Sequence, residues 1–198
     1  MIAYLRGKLV SKNPPEIIID VDGIGYSIQA PMSTFYELPK VENEVTLLTQ
    51  LIVREDSHTL YGFATNVERE LFNQLLKVNK IGAKLALTIL SGMSVLEFQK
   101  CIINSDYDAL EKLPGVGRKM AERLLIEMKD RINDNFVDAD TLQNPFDQTK
   151  LTPIAEALQA LIKLGYKPND AKKIVSKIDT DEMTSEDIIK AALQNTLK

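Results

Sequence analysis

The sequence is poor in the residues that most often carry chemistry. Among its 198 residues there is one cysteine, Cys101, one histidine, His58, and no tryptophan. A single cysteine excludes an internal disulfide framework and any cysteine-rich zinc module, and a single histidine excludes a multi-histidine metal centre. A reducing compartment is expected, with Cys101 acting as a small buried hydrophobe on a helix. A basic surplus is missing too. Lys+Arg 24 against Asp+Glu 28 leaves a net charge of -4, and no third of the chain is net basic. That rules out a uniformly basic coat or a polybasic membrane anchor, while leaving room for a local basic site. The longest uncharged stretches, Ile24 to Tyr36 and Leu85 to Leu96, fall short of a membrane span, and MIAYLRGKLV lacks the apolar core of a secretory signal. A cytoplasmic location with no membrane partner is the expectation. None of the nine glycines builds a phosphate loop: Gly7-Lys8 has no glycine five residues earlier and is followed by Leu9.

What is present divides into segments. Residues 1–64 carry short β-branched or alternating runs at Met1 to Val10, Glu16 to Val21, Gly25 to Ala30, Glu44 to Arg54 and His58 to Phe63. Turn signals separate them, among them Asp22-Gly23 and Glu55-Asp56-Ser57. In the fourth run Val45, Leu47, Thr49, Leu51 and Val53 share one face, while Thr46, Leu48, Gln50 and Ile52 share the other. Two apolar faces suit a strand of a closed barrel that also packs against a second layer, so the spacing predicts a small barrel of OB type. Residues 65–134 switch to helical spacing, through Val67, Leu71, Leu75 and Val78 and on to Met120 to Ile132. Residues 135–150 lose periodicity and read as a flexible linker. Residues 151–198 predict three helices. Thr152 and Pro153 open the first, Gly165 stops it, the second follows Pro168, and Thr184 with Asp187 caps the third.

The most specific signal is a repeat at an interval of 35. KVNKIGAKLALTIL (Lys77 to Leu90) aligns with KLPGVGRKMAERLL (Lys112 to Leu125), with identities at Lys77/Lys112, Gly82/Gly117, Lys84/Lys119, Ala86/Ala121 and Leu90/Leu125. Each copy is a helix end, a glycine-bearing turn and a second helix that begins at a lysine. The first-turn amides of that helix and its dipole favour an anion, and Lys84 or Lys119 adds the charge. One copy fits one phosphate, and two copies grip a backbone without reading bases. Candidate contacts are Lys80, Ile81, Gly82 and Lys84 in the first copy, with Gly115, Val116, Gly117, Arg118, Lys119 and Arg123 in the second.

These residues resemble the helix-hairpin-helix motif. The whole chain, through MIAYLRGKL, LTILSGMS, KLPGVGRKMAERLLIEMKDR and LGYKP, resembles the RuvA family of junction-binding subunits. The resemblance implies a multidomain β + α protein: an OB-type barrel, an all-helical tandem helix-hairpin-helix domain, and a three-helix UBA-like bundle. It implies no cofactor and no catalysis by this chain. Four-way junction DNA is the implied ligand, a RuvB-type hexameric ATPase the implied motor, and a RuvC-type resolvase a further partner. A homotetramer is implied, with one tetramer or two around a junction. Glu55 and Asp56 then correspond to an acidic pin at the crossover, and Leu161, Leu164, Tyr166 and Leu193 to the motor-docking patch, rimmed by Lys163, Lys167 and Asn169. One departure stands out: the family's first hairpin usually reads Gly-Val-Gly, whereas this chain has Lys80-Ile81-Gly82. If that position needs a positive φ, a lysine there is strained by roughly 1 kcal/mol, and its charge could offset the cost at a phosphate.

Two other readings compete on the residues alone. A helix-hairpin-helix glycosylase needs a base pocket with aromatic stacking, for which the helical unit offers Phe72, Phe98, Tyr107 and Phe136. A single-strand binder would stack bases on exposed barrel aromatics, for which Tyr4, Tyr26, Phe35, Tyr36, Tyr61 and Phe63 are available.

Overall fold

Strand pairing in the first part of the chain follows from its alternation and turn chemistry. β1 (Tyr4–Asn13), β2 (Glu16–Val21) and β3 (Ile24–Gln29) form an antiparallel meander. At the β2–β3 turn Asp22 and Gly23 both take positive φ, 51° and 86°, the backbone of a two-residue hairpin turn that matches strand twist. β4 (Glu44–Val53) pairs with β1 and with β5 (His58–Phe63), and β5 runs parallel to β3, which closes the barrel in the order β1-β2-β3-β5-β4. The computed structural model describes residues 2–135, 152–166, 168–176, 178 and 183–196. The expected linker lies outside them from residue 136 to residue 150.

The two apolar faces of β4 resolve as expected. Val45, Leu47 and Leu51 join the barrel core with Leu9, Ile17, Ile19 and Ile28, whereas Ile52 packs against the helical core. β5 divides likewise: Leu60 faces the barrel interior, while Tyr61 and Phe63 meet Phe72 with ring centroids 5.0 Å apart in each pair. Gly62 lies between them because a Cβ there would stand 2.6 Å from Ile28 Cγ2.

One element departs from the sequence expectation. α1 (Met32–Glu37) is helical in a segment that the strand-and-turn spacing leaves without a helix, flanked by Pro31 and Pro39, and its N-cap makes no side-chain hydrogen bond. Tertiary contacts supply what local signals lack: Thr34 and Phe35 are buried, and Thr34 Oγ1 accepts from the Ala64 amide at 3.2 Å.

The helical layer follows. α2 (Asn66–Leu75) and α4 (Val95–Asn104) open with capping boxes, Thr65 with Glu68 and Ser94 with Glu97. The backbone and hydroxyl hydrogen bonds of Ser94 hold the Glu97 carboxyl below the usual carboxylate range. α3 (Ala83–Gly92), α5 (Tyr107–Glu111) and α6 (Arg118–Asn135) complete this layer. Its core joins Leu71, Phe72 and Leu75 to Phe98, Ile102, Leu110 and Leu124. Cys101 packs partly buried against it, and burial, with Asp106 and Glu97 nearby, pushes its thiol pKa up, away from reactivity. Barrel and helices are tied by Ser91 Oγ, which accepts from the Met32 amide at 3.0 Å, and by Arg69, which donates to the Ala3 carbonyl at 3.1 Å.

The described residues fall into two compact units, divided between Pro145 and Phe146. The second holds α7 (Pro153–Lys163), α8 (Pro168–Val175) and α9 (Ser185–Thr196) around Ala157, Leu161, Ala171, Val175, Ile188 and Ala192. Its helix ends follow the sequence reading. Thr152 Oγ1 accepts from the Ala155 amide at 3.4 Å, Gly165 takes φ +100° past the end of α7, and Thr184 Oγ1 accepts from the Asp187 amide at 3.3 Å. Among the described residues no single helix is long and apolar enough to cross a membrane.

Candidate nucleic-acid interface

The repeat in sequence is a repeat in hydrogen bonding. In the first hairpin the Val78 amide donates to the Leu75 carbonyl at 3.0 Å, Ile81 to Val78 at 3.1 Å and Ala86 to Gly82 at 3.0 Å. In the second, Leu113 donates to Leu110 at 3.1 Å, Val116 to Leu113 at 3.0 Å and Ala121 to Gly117 at 2.9 Å. Every donor and acceptor is offset by the same 35 residues. The sequences Val78-Asn79-Lys80-Ile81 and Leu113-Pro114-Gly115-Val116 are therefore the same closed four-residue turn. Lys80 takes φ +69° and Gly115 φ +82° at its third position, where a type II turn demands the left-handed region. The position of Lys80 does need a positive φ.

Gly82 and Gly117 do a different job. Neither takes a positive φ, Gly82 being an extended N-cap at φ -95°, and a Cβ at either would meet nothing within 4 Å. The space beside each is open, and each opens a helix of at least ten residues whose first two amides, at Ala83 and Lys84 and at Arg118 and Lys119, have no intrahelical acceptor. Lys84 and Lys119 are exposed on the first turns of α3 and α6, and Lys80 and Arg118 are exposed as well. Arg118 stands 3.7 Å from Glu122, an exposed pair that holds it weakly. The arrangement offers two like-built sites, each with open backbone donors and cations, suited to a polyanion held by its phosphates.

Ile81 and Val116 behave otherwise than as contacts. Their side chains are 6% and 3% exposed, and their amides are spent inside the turn. They anchor each turn to the core, so a direct contribution to a ligand from either is corrected to a structural one. Arg123 is partly engaged: its Nη1 donates to the Asn79 carbonyl at 3.3 Å and its Nε lies 4.0 Å from Glu127. Asn79 and Glu127 were not singled out by the sequence, because their pairing joins positions 48 residues apart.

Glu55 and Asp56 occupy the tip between β4 and β5. Val53 pairs with His58, the Arg54 amide donates to the Ser57 carbonyl at 2.8 Å, and both carboxylates are exposed, with Asp56 Oδ1 accepting from Ser57 Oγ at 3.3 Å. In the second unit the four apolar candidates separate. Leu164 is 60% exposed, Tyr166 and Leu193 are half-buried against the bundle core, and Leu161 is 0% exposed. Leu161 is thus corrected from a surface contact to a core residue: Ala157 and Ala171 leave room for it inside. The side chains of Lys163, Lys167 and Asn169 lie outside the described ones.

The aromatics of the competing readings are mostly spent on packing. Phe72, Phe98 and Phe63 are fully buried, Phe35 and Tyr61 nearly so and Tyr26 half-buried against the barrel core, which leaves Tyr4, Tyr36 and Tyr107 as the exposed rings among these candidates. Phe136 lies outside the described residues.

Three family models match the chain: the RuvA N terminal domain over residues 1–62, the SAM-like helix-hairpin-helix tandem over residues 72–130, and the RuvA C-terminal domain over residues 152–196. Among similar proteins, the Holliday junction branch migration complex subunit RuvA of Thioalkalivibrio sulfidiphilus is 49% identical over 202 residues, covering 100% of both chains. The protein of the same name from Tolumonas auensis is 48% identical over 206 residues, again covering 100% of both. That from Coxiella burnetii is 47% identical over 194 residues, covering 98% of this chain and 97% of its own.

Proposed function

Because the chain belongs to the RuvA family, we infer that it is the junction-binding subunit of a Holliday junction branch migration complex. The observation that carries this is the pair of hairpins closed by identical hydrogen bonds, each presenting open backbone donors and a lysine at the same place. Phosphate contacts of this kind fix position without reading sequence, which suits a protein that must hold DNA while strands exchange. The chain contributes geometry; ATP hydrolysis belongs to a RuvB-type hexameric motor.

The finer assignments rest on the same reading. Lys80, Gly82, Lys84, Gly115, Gly117, Arg118, Lys119 and Arg123 form or frame the phosphate sites. In a homotetramer, as one ring or two around the junction, the exposed tips bearing Glu55 and Asp56 meet at the crossover. Their carboxylates repel phosphates, with little screening below about 8 Å in physiological salt. Attraction at the arms and repulsion at the centre favour an open junction. Leu164, with Tyr166 and Leu193 beside it, is the docking patch for the motor, and a RuvC-type resolvase shares the junction. The complex works on DNA in the cytoplasm.

Competition gel shifts test the reading. Wild type is expected to prefer a four-way junction over duplex or single strand of equal length. Glu55→Gln with Asp56→Asn keeps or tightens that binding, and truncation after Lys150 leaves it while removing stimulation of the motor. Equal affinity for junction and duplex would refute the assignment.

A further inference from the structure

Asn79 is where the two hairpins are joined. Its amide donates to Glu127 Oε2 at 3.3 Å and its carbonyl accepts from Arg123 Nη1 at 3.3 Å, so α6, the second helix of hairpin two, holds both backbone groups of one residue in the turn of hairpin one. Arg131, one further turn along α6, lies 3.9 Å from Glu127 and donates to the Gln74 carbonyl at 3.3 Å, near the end of α2. Arg123, Glu127 and Arg131 are spaced by four and therefore line one face of α6.

The residue held by this row precedes the one under strain. Lys80 occupies the left-handed region at φ +69°, which a side chain keeps only where its surroundings over-determine the backbone. In hairpin two the corresponding pair is Pro114-Gly115. Proline presets the second position of a type II turn, glycine takes the third without steric cost, and Pro114 has no amide for a carboxylate to hold. Hairpin two is self-sufficient, whereas hairpin one has a lysine at the demanding position and a tertiary clamp on the residue before it.

We propose that Glu127, assisted by Arg123, is a positioning residue for the first phosphate site: by holding Asn79 it keeps Lys80 left-handed and so places the amides at the start of α3. The DNA part of this inference rests on the function proposed above; the clamp itself does not. Hydrogen exchange at the Asn79 amide in the full chain tests the clamp without DNA. Glu127→Ala is expected to speed exchange by about tenfold, as befits loss of a hydrogen bond to a carboxylate, while Glu127→Gln retains most of the protection through its amide oxygen. Unchanged exchange in Glu127→Ala overturns the proposal.

The DNA arm compares two backgrounds. Glu127→Ala should weaken four-way junction binding by about tenfold in the wild-type chain but cost little more when made in the Lys80→Gly variant, because glycine needs no clamp. A tenfold loss that persists when Glu127→Ala is made in the Lys80→Gly variant means that Glu127 acts through α6 at large, and the proposal is wrong. Should Glu127→Ala fold poorly, Asn79→Pro with Lys80→Gly rebuilds hairpin one as hairpin two; in that background Glu127→Ala must become tolerated, and continued misfolding counts against the clamp. A wild type that binds no junction sinks the functional reading while amide exchange still decides the clamp.

Discussion

Hairpin one and hairpin two reach the same backbone by different routes. The turn hydrogen bonds agree within 0.1 Å, at 3.1 Å for Ile81 to Val78 and 3.0 Å for Val116 to Leu113. Yet hairpin two is written locally, in Pro114-Gly115, and hairpin one tertiarily, through Arg123 and Glu127 on α6. A repeat can preserve geometry without the residues that suffice for it locally, provided a neighbour supplies the constraint. The exchange also moves charge. The counterpart of Arg118 in hairpin one is Ala83, which is buried, so the second cation of that site sits on the turn, at Lys80, instead of on the helix.

The comparison is tested most severely in the core. Leu75 and Leu110 are equivalent in the repeat, fully buried, and each accepts the first turn hydrogen bond of its hairpin through its carbonyl. Leu75→Ala and Leu110→Ala should each cost about 2–5 kcal/mol by cavity formation, read as a lowered midpoint in urea denaturation. A silent substitution at one and a severe one at the other would show that the hairpins are equivalent in backbone only.

The turns come next in size. Gly115→Lys places in hairpin two the residue that hairpin one tolerates, but without a clamp, and with its Cβ 3.2 Å from Leu85 Cδ1. It should cost about 1–2 kcal/mol, the usual penalty for a side chain in the left-handed region. Lys80→Gly should gain less than that loss in the same denaturation assay, since the clamp already offsets part of the strain. Equal and opposite changes would leave the clamp no share in the difference.

Much of this was legible in the sequence, and what was not has a common physical cause. Alternation placed the barrel strands, and the two apolar faces of β4 announced a layer behind the barrel, where Ile52 packs. The repeat marked both hairpins, and Thr152, Gly165 and Thr184 marked helix ends, because capping and turn chemistry act within a few residues. Where the answer depends on distant partners, pattern falls silent. α1 forms between two prolines because its Thr34 hydroxyl accepts from the Ala64 amide, 30 residues away. Leu161 and Leu164 look alike in sequence, but only the packing of α7 on its neighbours decides that the first is core and the second surface. Motif logic also swept Ile81 and Val116 into the interface, although apolar residues at both copies of a position are the signature of an anchor.

The smallest effect separates charge from strain at Lys80. Withdrawing one cation from a phosphate should lower the slope of log affinity against log salt by about 0.9. Lys84→Ala and Lys119→Ala, equivalent in the repeat, should flatten the slope of junction binding alike, since each removes one cation from an open helix start. Lys80→Gly removes a cation and relieves strain together, and only the first responds to salt. It should therefore weaken binding at low salt, with a deficit that closes as salt rises and screening silences the charge. Tightening at low and high salt alike would mean that Lys80 contributes strain without touching DNA, and that hairpin one holds its phosphate by Lys84 and the backbone donors at the start of α3.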